Sequence, residues 1–188
     1  MTERQEQIIE ASIELISSKG IQGFTIKNLS KAIGISEPAI YRHFTNKTDI
    51  LISILENFKQ MGKFMSMIVD NNDTAMNKIQ FILSNMLEIF IKQPAYISVI
   101  FSEEIFKNEK ILKNKIVEIL NLHQSNVEKI IQKGQINGDI RNDIEATTLA
   151  LIIMGSLRLL VKKWELNNYN FNLINEGKKL IKSLKLML

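Results

Sequence analysis

Ser36, Glu37, Pro38, Ala39 and Arg42 fall within seven residues, and each suits a different edge of a base pair. An arginine can chelate the O6 and N7 of guanine, and a carboxylate can accept from a cytosine amino group. A proline ring or an alanine methyl can touch a thymine methyl, and a serine hydroxyl can serve several bases. Such readout needs a rigid carrier, and the neighbouring residues describe one. Thr25 can N-cap a short helix whose apolar face is Ile26, Leu29 and Ile33. Gly34 supplies the positive φ of a tight exit, Ser36 caps a second helix, and Pro38 is tolerated in its first turn. Ile40 and Phe44, four apart, then face inward while Glu37, Pro38, Tyr41 and Arg42 face the other way. Two short helices around a glycine turn, the second apolar behind and polar in front, suit insertion into a major groove.

The run Thr25…Leu29…Ile33-Gly34-Ile35-Ser36…Ile40-Tyr41-Arg42-His43-Phe44…Asn46-Lys47…Asp49-Ile50-Leu51 resembles the N-terminal DNA-binding domain of TetR-family transcriptional regulators. A second stretch, Gly134…Gly138-Asp139-Ile140-Arg141…Asp143, is similar to the family's turn between its seventh and eighth helices. Ser30 stands where the family usually has alanine, and Glu37 places a negative charge on the groove-facing side. The resemblance implies that Tyr41 and the start of the fourth helix grip the DNA backbone. Tyr41, Lys47, Thr25 and His43 are accordingly the expected phosphate contacts. Tyr41 suits equally a boundary position against the first helix, and His43 suits a capping or partly buried structural role.

Composition agrees with a small helical protein. The 188 residues are 45% apolar and 23% charged, and only two prolines and eight glycines interrupt them. No cysteine is present, which excludes disulfides, thiolate catalysis and cysteine-ligated metals. The N-terminus lacks an apolar signal block, so a cytoplasmic location is expected. Net charge is +4, and its distribution is more telling. Acids collect on the first helix at Glu3, Glu6, Glu10 and Glu14, whereas between residues 25 and 48 Lys27, Lys31, Arg42 and Lys47 oppose only Glu37. This sorting puts positive charge where phosphates would lie.

Elsewhere the pattern is of long helices. Thr2 to Gln5 fits a capping box for the first, with Ile8, Ala11, Ser12, Leu15 and Ile16 inward and Gly20 at its end. Further helices are expected over about 47–69, 74–92, from Pro94, from about Leu112 to Ile131, over about 144–166 and over about 170–188. Phe58, Met61, Phe64, Met65, Met86, Phe90, Phe101 and Phe106 form a set of adaptable apolar groups. They read either as the lining of a small-molecule pocket or as plain core. His123 and Trp164 are the polar-tipped groups nearby, and His123 is either a satisfied core histidine or a ligand hydrogen-bonder. The helix after residue 144 is apolar nearly all round for twelve residues from Ala146, too few to span a bilayer. Burial on both sides follows, against its own domain and a second subunit, with Ala150, Gly155, Ser156, Ile174, Gly177 and Ile181 at the dimer contact. The basic stripe of Lys178, Lys179, Lys182 and Lys185 reads as a solvated face.

Nothing supports catalysis. No phosphate loop, metal-spaced donor set or nucleophile elbow occurs, and Glu103 and Glu104 would point about 100° apart on a helix. The expectation is therefore an all-α protein of about nine helices. A three-helix helix-turn-helix domain spans 1–46, and a helical ligand-binding and dimerisation bundle spans 47–188. The resemblance implies a homodimer on a palindromic operator, a repressor relieved by a small apolar or amphipathic effector, with no cofactor, metal or membrane. The rival expectation is a DNA-bound structural or cell-division factor whose C-terminal domain binds a protein.

Overall fold

In the computed structural model, backbone is described for residues 1–67, 73–101 and 109–188, and side chains for the same residues except 62–67. Phe64, Met65, Glu103, Glu104 and Phe106 thus lie outside the described side chains. Among the described residues there are nine helices and no strand: α1 Glu3–Gly23, α2 Ile26–Ile33, α3 Glu37–Tyr41, α4 Lys47–Met67, α5 Ala75–Lys92, α6 Ala95–Ile100, α7 Lys110–Asn137, α8 Ala146–Leu166 and α9 Leu173–Met187. Contacts divide the chain into two compact units, Met1–Gln60 with Ala95–Val117, and Met61–Pro94 with Glu118–Leu188.

The first unit begins with the expected capping box. The Gln5 N–H donates to Thr2 Oγ1 at 3.3 Å, and the Thr2 N–H donates to Gln5 Oε1 at 2.9 Å. Gly20 takes φ 66° and ψ 177°, a glycine conformation that breaks α1, yet a further short turn carries the helix to Gly23. Ile8, Ser12, Leu15 and Ile16 are buried as expected, but so are Ile9 and Ile13, while Ala11 is half-buried. A single amphipathic stripe would not bury Ile9 and Ile13. Helix α6 also packs on α1, where Ser98 Oγ donates to Ser17 Oγ at 3.5 Å. On α4, Ile50, Leu51, Ile54, Leu55 and Phe58 recur at helical spacing and are all buried. These residues belong to the first unit. The unit runs through Gln60 and takes in Ala95–Val117, which includes α6 and the first turns of α7.

In the second unit α5 buries Met76, Ile79, Ile82, Leu83, Met86, Leu87 and Phe90, as its periodicity requires. Thr74 caps it by accepting the Asn77 N–H at 3.3 Å. Two glycines permit close helix approach here. A Cβ on Gly134 would lie 2.5 Å from Ala75 Cβ, and one on Gly177 would lie 2.2 Å from Leu87 Cδ1. Gly134 is thus inside α7, which runs on to Asn137. The turn that follows is pinned by Gln135 Nε2, which donates to the carbonyls of Arg141 at 2.9 Å and Ile144 at 2.8 Å. Arg141 grips Asp143 through two hydrogen bonds of 2.6 Å each. Gly177→Ala should cost about 1 kcal/mol, because overpacking against buried Leu87 exceeds the gain in helix propensity. A urea midpoint equal to or above wild type would contradict that packing.

Candidate nucleic-acid interface

The reading head is assembled by local chemistry. Thr25 Oγ1 accepts the Asn28 N–H at 3.1 Å and starts α2. Gly34, at φ 76° and ψ 30°, ends it, its N–H bonded to the Ser30 carbonyl at 2.9 Å. Leu29 is fully buried, while Ile26 and Ile33 are half-buried. Ser36 occupies the N-cap position of α3 but makes no side-chain capping bond. The reason is chemical: Pro38 has no N–H to offer, and the Ala39 N–H is taken by the Ser36 carbonyl at 3.0 Å. The Ser36 hydroxyl is therefore not spent on the cap, and the residue is exposed.

Ile40 (0% exposed) and Phe44 anchor the back of α3. Pro38, Tyr41 and Arg42 are exposed on its front, Glu37 and Ala39 are half-buried, and Tyr41 shows 50% of its surface. Arg42 lies at the end of α3 and forms no ion pair with the acids among the described residues. His43 is half-buried, and its backbone carbonyl accepts from Gln5 Nε2 at 3.3 Å, tying α1 to the end of α3.

The start of α4 is fixed by two hydrogen bonds. The Asp49 N–H donates to Asn46 Oδ1 at 2.9 Å, and the Thr45 N–H donates to Asp49 Oδ2 at 3.0 Å. Lys47, an expected phosphate contact, also makes contacts inside the head. Its ammonium lies 5.1 Å from the centre of the Phe24 ring and donates to the Ile21 carbonyl at 3.5 Å. Burial lowers its pKa, opposed by the nearby charge of Glu109. The side chain closes the head as well as charging it, so Lys47→Met should lower both the urea midpoint and DNA affinity for every sequence. The salt slope should fall by about one. A variant of wild-type stability would show that the Phe24 contact contributes nothing.

Lys27 and Lys31, which were not singled out in sequence as contacts, are exposed on α2 beside this face. Their signal was available in the sorting of charge. Thr48 was missed entirely, and its partner Glu109 is 61 residues away.

The other expected sites separate. Phe58 and Phe101 belong to the first unit, and Met61, Met86, Phe90 and His123 belong to the second. Burial lowers the pKa of His123 and so favours its neutral form. Trp164 has committed its indole N–H to the Phe171 carbonyl at 2.9 Å. Of the expected dimer residues, Ala150, Gly177 and Ile181 are buried within the protomer, because α5, α8 and α9 pack together. Ile174 and Ser156 are half-buried, and Gly155 is exposed. The exposed apolar groups of α8 are instead Leu151, Ile152, Leu159 and Leu166, with Leu159 showing 63% of its surface. No described helix is long and apolar enough to cross a membrane.

A capped helix, a glycine turn and a short second helix with an exposed polar front define a helix-turn-helix DNA-binding protein. Residues 8–54 match the family described as bacterial regulatory proteins, tetR family. Residues 57–186 match the C-terminal region of the YsiA-like proteins. The chain belongs to the TetR family of transcriptional regulators. It is 25% identical to the fatty acid metabolism regulator protein of Bacillus subtilis, over 89% of this chain and 87% of that one. It is 26% identical to the nucleoid occlusion factor SlmA of Actinobacillus pleuropneumoniae, over 71% of this chain and 67% of that one. Its fold matches the crystal structure of FadR from Bacillus subtilis in complex with stearoyl-CoA at a TM-score of 0.84. The match covers 95% of this chain and 96% of FadR at 24% identity.

Proposed function

We propose that this chain binds a palindromic operator as a two-fold dimer and releases it on binding a long-chain fatty acyl thioester. The observation that carries the ligand class is the similarity, over 89% of this chain, to the fatty acid metabolism regulator protein of Bacillus subtilis, together with the fold shared with FadR in complex with stearoyl-CoA. The match of residues 57–186 to the YsiA-like C-terminal region is consistent with it. The apolar inner face of α5, with Met86 and Phe90, supplies side chains suited to an alkyl chain. Base readout falls to Ser36, Glu37, Pro38, Ala39 and Arg42, and backbone contact to Thr25, Tyr41, His43 and Lys47. The second subunit covers the exposed Leu151, Ile152, Gly155 and Leu159 of α8, and sets two heads about 34–36 Å apart on the duplex. An acyl thioester that fits only a wrongly spaced conformation shifts the population off DNA. The activity is binding alone, with no catalysed reaction, and its setting is the cytoplasm.

The test is fluorescence anisotropy on the chain's own upstream duplex at stated salt, with long-chain acyl-CoA, the free fatty acid and CoA. Acyl-CoA should weaken binding at least tenfold and CoA should not. Firm operator binding that no acyl thioester disturbs would remove the ligand class. The likeness to nucleoid occlusion factors supports a second reading, a DNA-bound cell-division factor with a protein partner. Occupancy of many chromosomal sites with no effector response would favour it.

A further inference from the structure

Glu109 directly precedes α7 and belongs, with the first turns of that helix, to the same compact unit as the reading head. Its backbone carbonyl accepts the Lys113 N–H at 3.1 Å and so opens α7. Its carboxylate turns to the other side, where Oε1 accepts the Thr48 hydroxyl at 3.3 Å. Further along both helices, Lys115 Nζ lies 2.6 Å from Glu56 Oε2. Two polar links therefore hold the start of α7 beside α4, and they differ in kind. The Lys115–Glu56 link is a neutralised pair. The Glu109–Thr48 link brings a carboxylate that forms no salt bridge among the described residues to the first turn of α4, the edge that also carries Lys47.

We propose that Glu109 is a charge brake on DNA binding, carried by α7, which occupies the Thr48 hydroxyl and repels phosphate from the Lys47 edge of the head. The inference rests on the DNA-binding reading above and adds a control on affinity. The Lys47 ammonium is drawn inward to Phe24 and Ile21, so it screens Glu109 only in part. Glu109 is exposed, and its charge adds to that of Asp49 in the same turn, whose carboxylate accepts the Thr45 N–H. Because a phosphate repulsion carries no base information, Glu109 sets affinity for every duplex and leaves base preference alone. A carboxylate acting only to open α7 would change stability and nothing else.

The full chain tests this with two substitutions. E109Q keeps an acceptor for Thr48 and removes the charge, whereas T48V removes the hydroxyl and keeps the charge. Anisotropy titrations on the upstream duplex and on a scrambled duplex are run over a series of KCl concentrations. E109Q should bind both duplexes about three- to tenfold tighter at low salt, the effect of one exposed unit charge near a phosphate, and the gain should shrink as salt rises. Its urea midpoint should match wild type. T48V should show no gain. Lysine methyl NMR after reductive methylation with 13C should show the Lys47 pKa falling in E109Q, a readout that needs no DNA. Unchanged affinity at every salt, an unmoved Lys47 titration, or equal tightening by T48V would overturn the proposal. Wild-type affinity tests the DNA-binding reading, and the variant-to-wild-type ratio tests this one.

Discussion

Ile40→Ala should abolish operator binding in a chain that still contains every proposed DNA contact. Helix α3 has five residues, and Ile40 is its one buried member. A helix this short has no stability of its own, since nucleation is unfavourable and a few hydrogen bonds cannot offset it. Its geometry is held by Ile40 in the core, by Phe44 just beyond, and by the turns that frame it. Removing three carbons from a fully buried isoleucine costs about 2–5 kcal/mol, a large share of what a small domain has. The expected measurements are a lower thermal midpoint by circular dichroism and a more than tenfold loss of affinity. Ile40→Val should cost only about 0.5–1.5 kcal/mol and retain binding. An alanine variant with the wild-type midpoint and affinity would mean that α3 is positioned by something other than its apolar back.

Arg42→Ala should act oppositely, sparing the fold and altering the reading. Arg42 is exposed and pairs with no acid among the described residues, so its removal leaves no buried partner unsatisfied. Operator affinity should fall by about 1–3 kcal/mol, roughly five- to 150-fold, with preference relaxed at one base pair in each half-site. Binding to a scrambled duplex should fall far less, by the loss of one positive charge. Selection from a randomised half-site reads the preference directly. If operator and scrambled affinities fall together, Arg42 contacts phosphate and the base assignment is wrong. Lys47→Met provides the contrast, since it should weaken all sequences alike and also the fold.

Several elements were legible because their causes are local. The Thr2–Gln5 capping box, the Thr25 cap, the Gly34 exit and the buried period of α5 each depend on residues within a few positions of one another. Ser36 shows the limit even at short range. The residue type favours a cap, but Pro38 removes a donor and the backbone takes the next one. The front of α3 was legible for the same local reason, since Ile40 and Phe44 settle which way Tyr41 and Arg42 face.

What residue order determined by itself was the sequence of capped amphipathic helices and the identity of the reading face, because both follow from hydrogen bonds and periodicity along one segment. Tertiary structure alone decided which partners those faces meet. It put α6 against α1 and buried Ile9 and Ile13, and it turned Ala150, Gly177 and Ile181 inward while leaving Leu151 and Leu159 outside. It folded Lys47 over Phe24 and brought Glu109 to Thr48. A period of 3.6 residues tells which side of a helix is apolar, but not what will cover it or which distant charge will come to rest beside it.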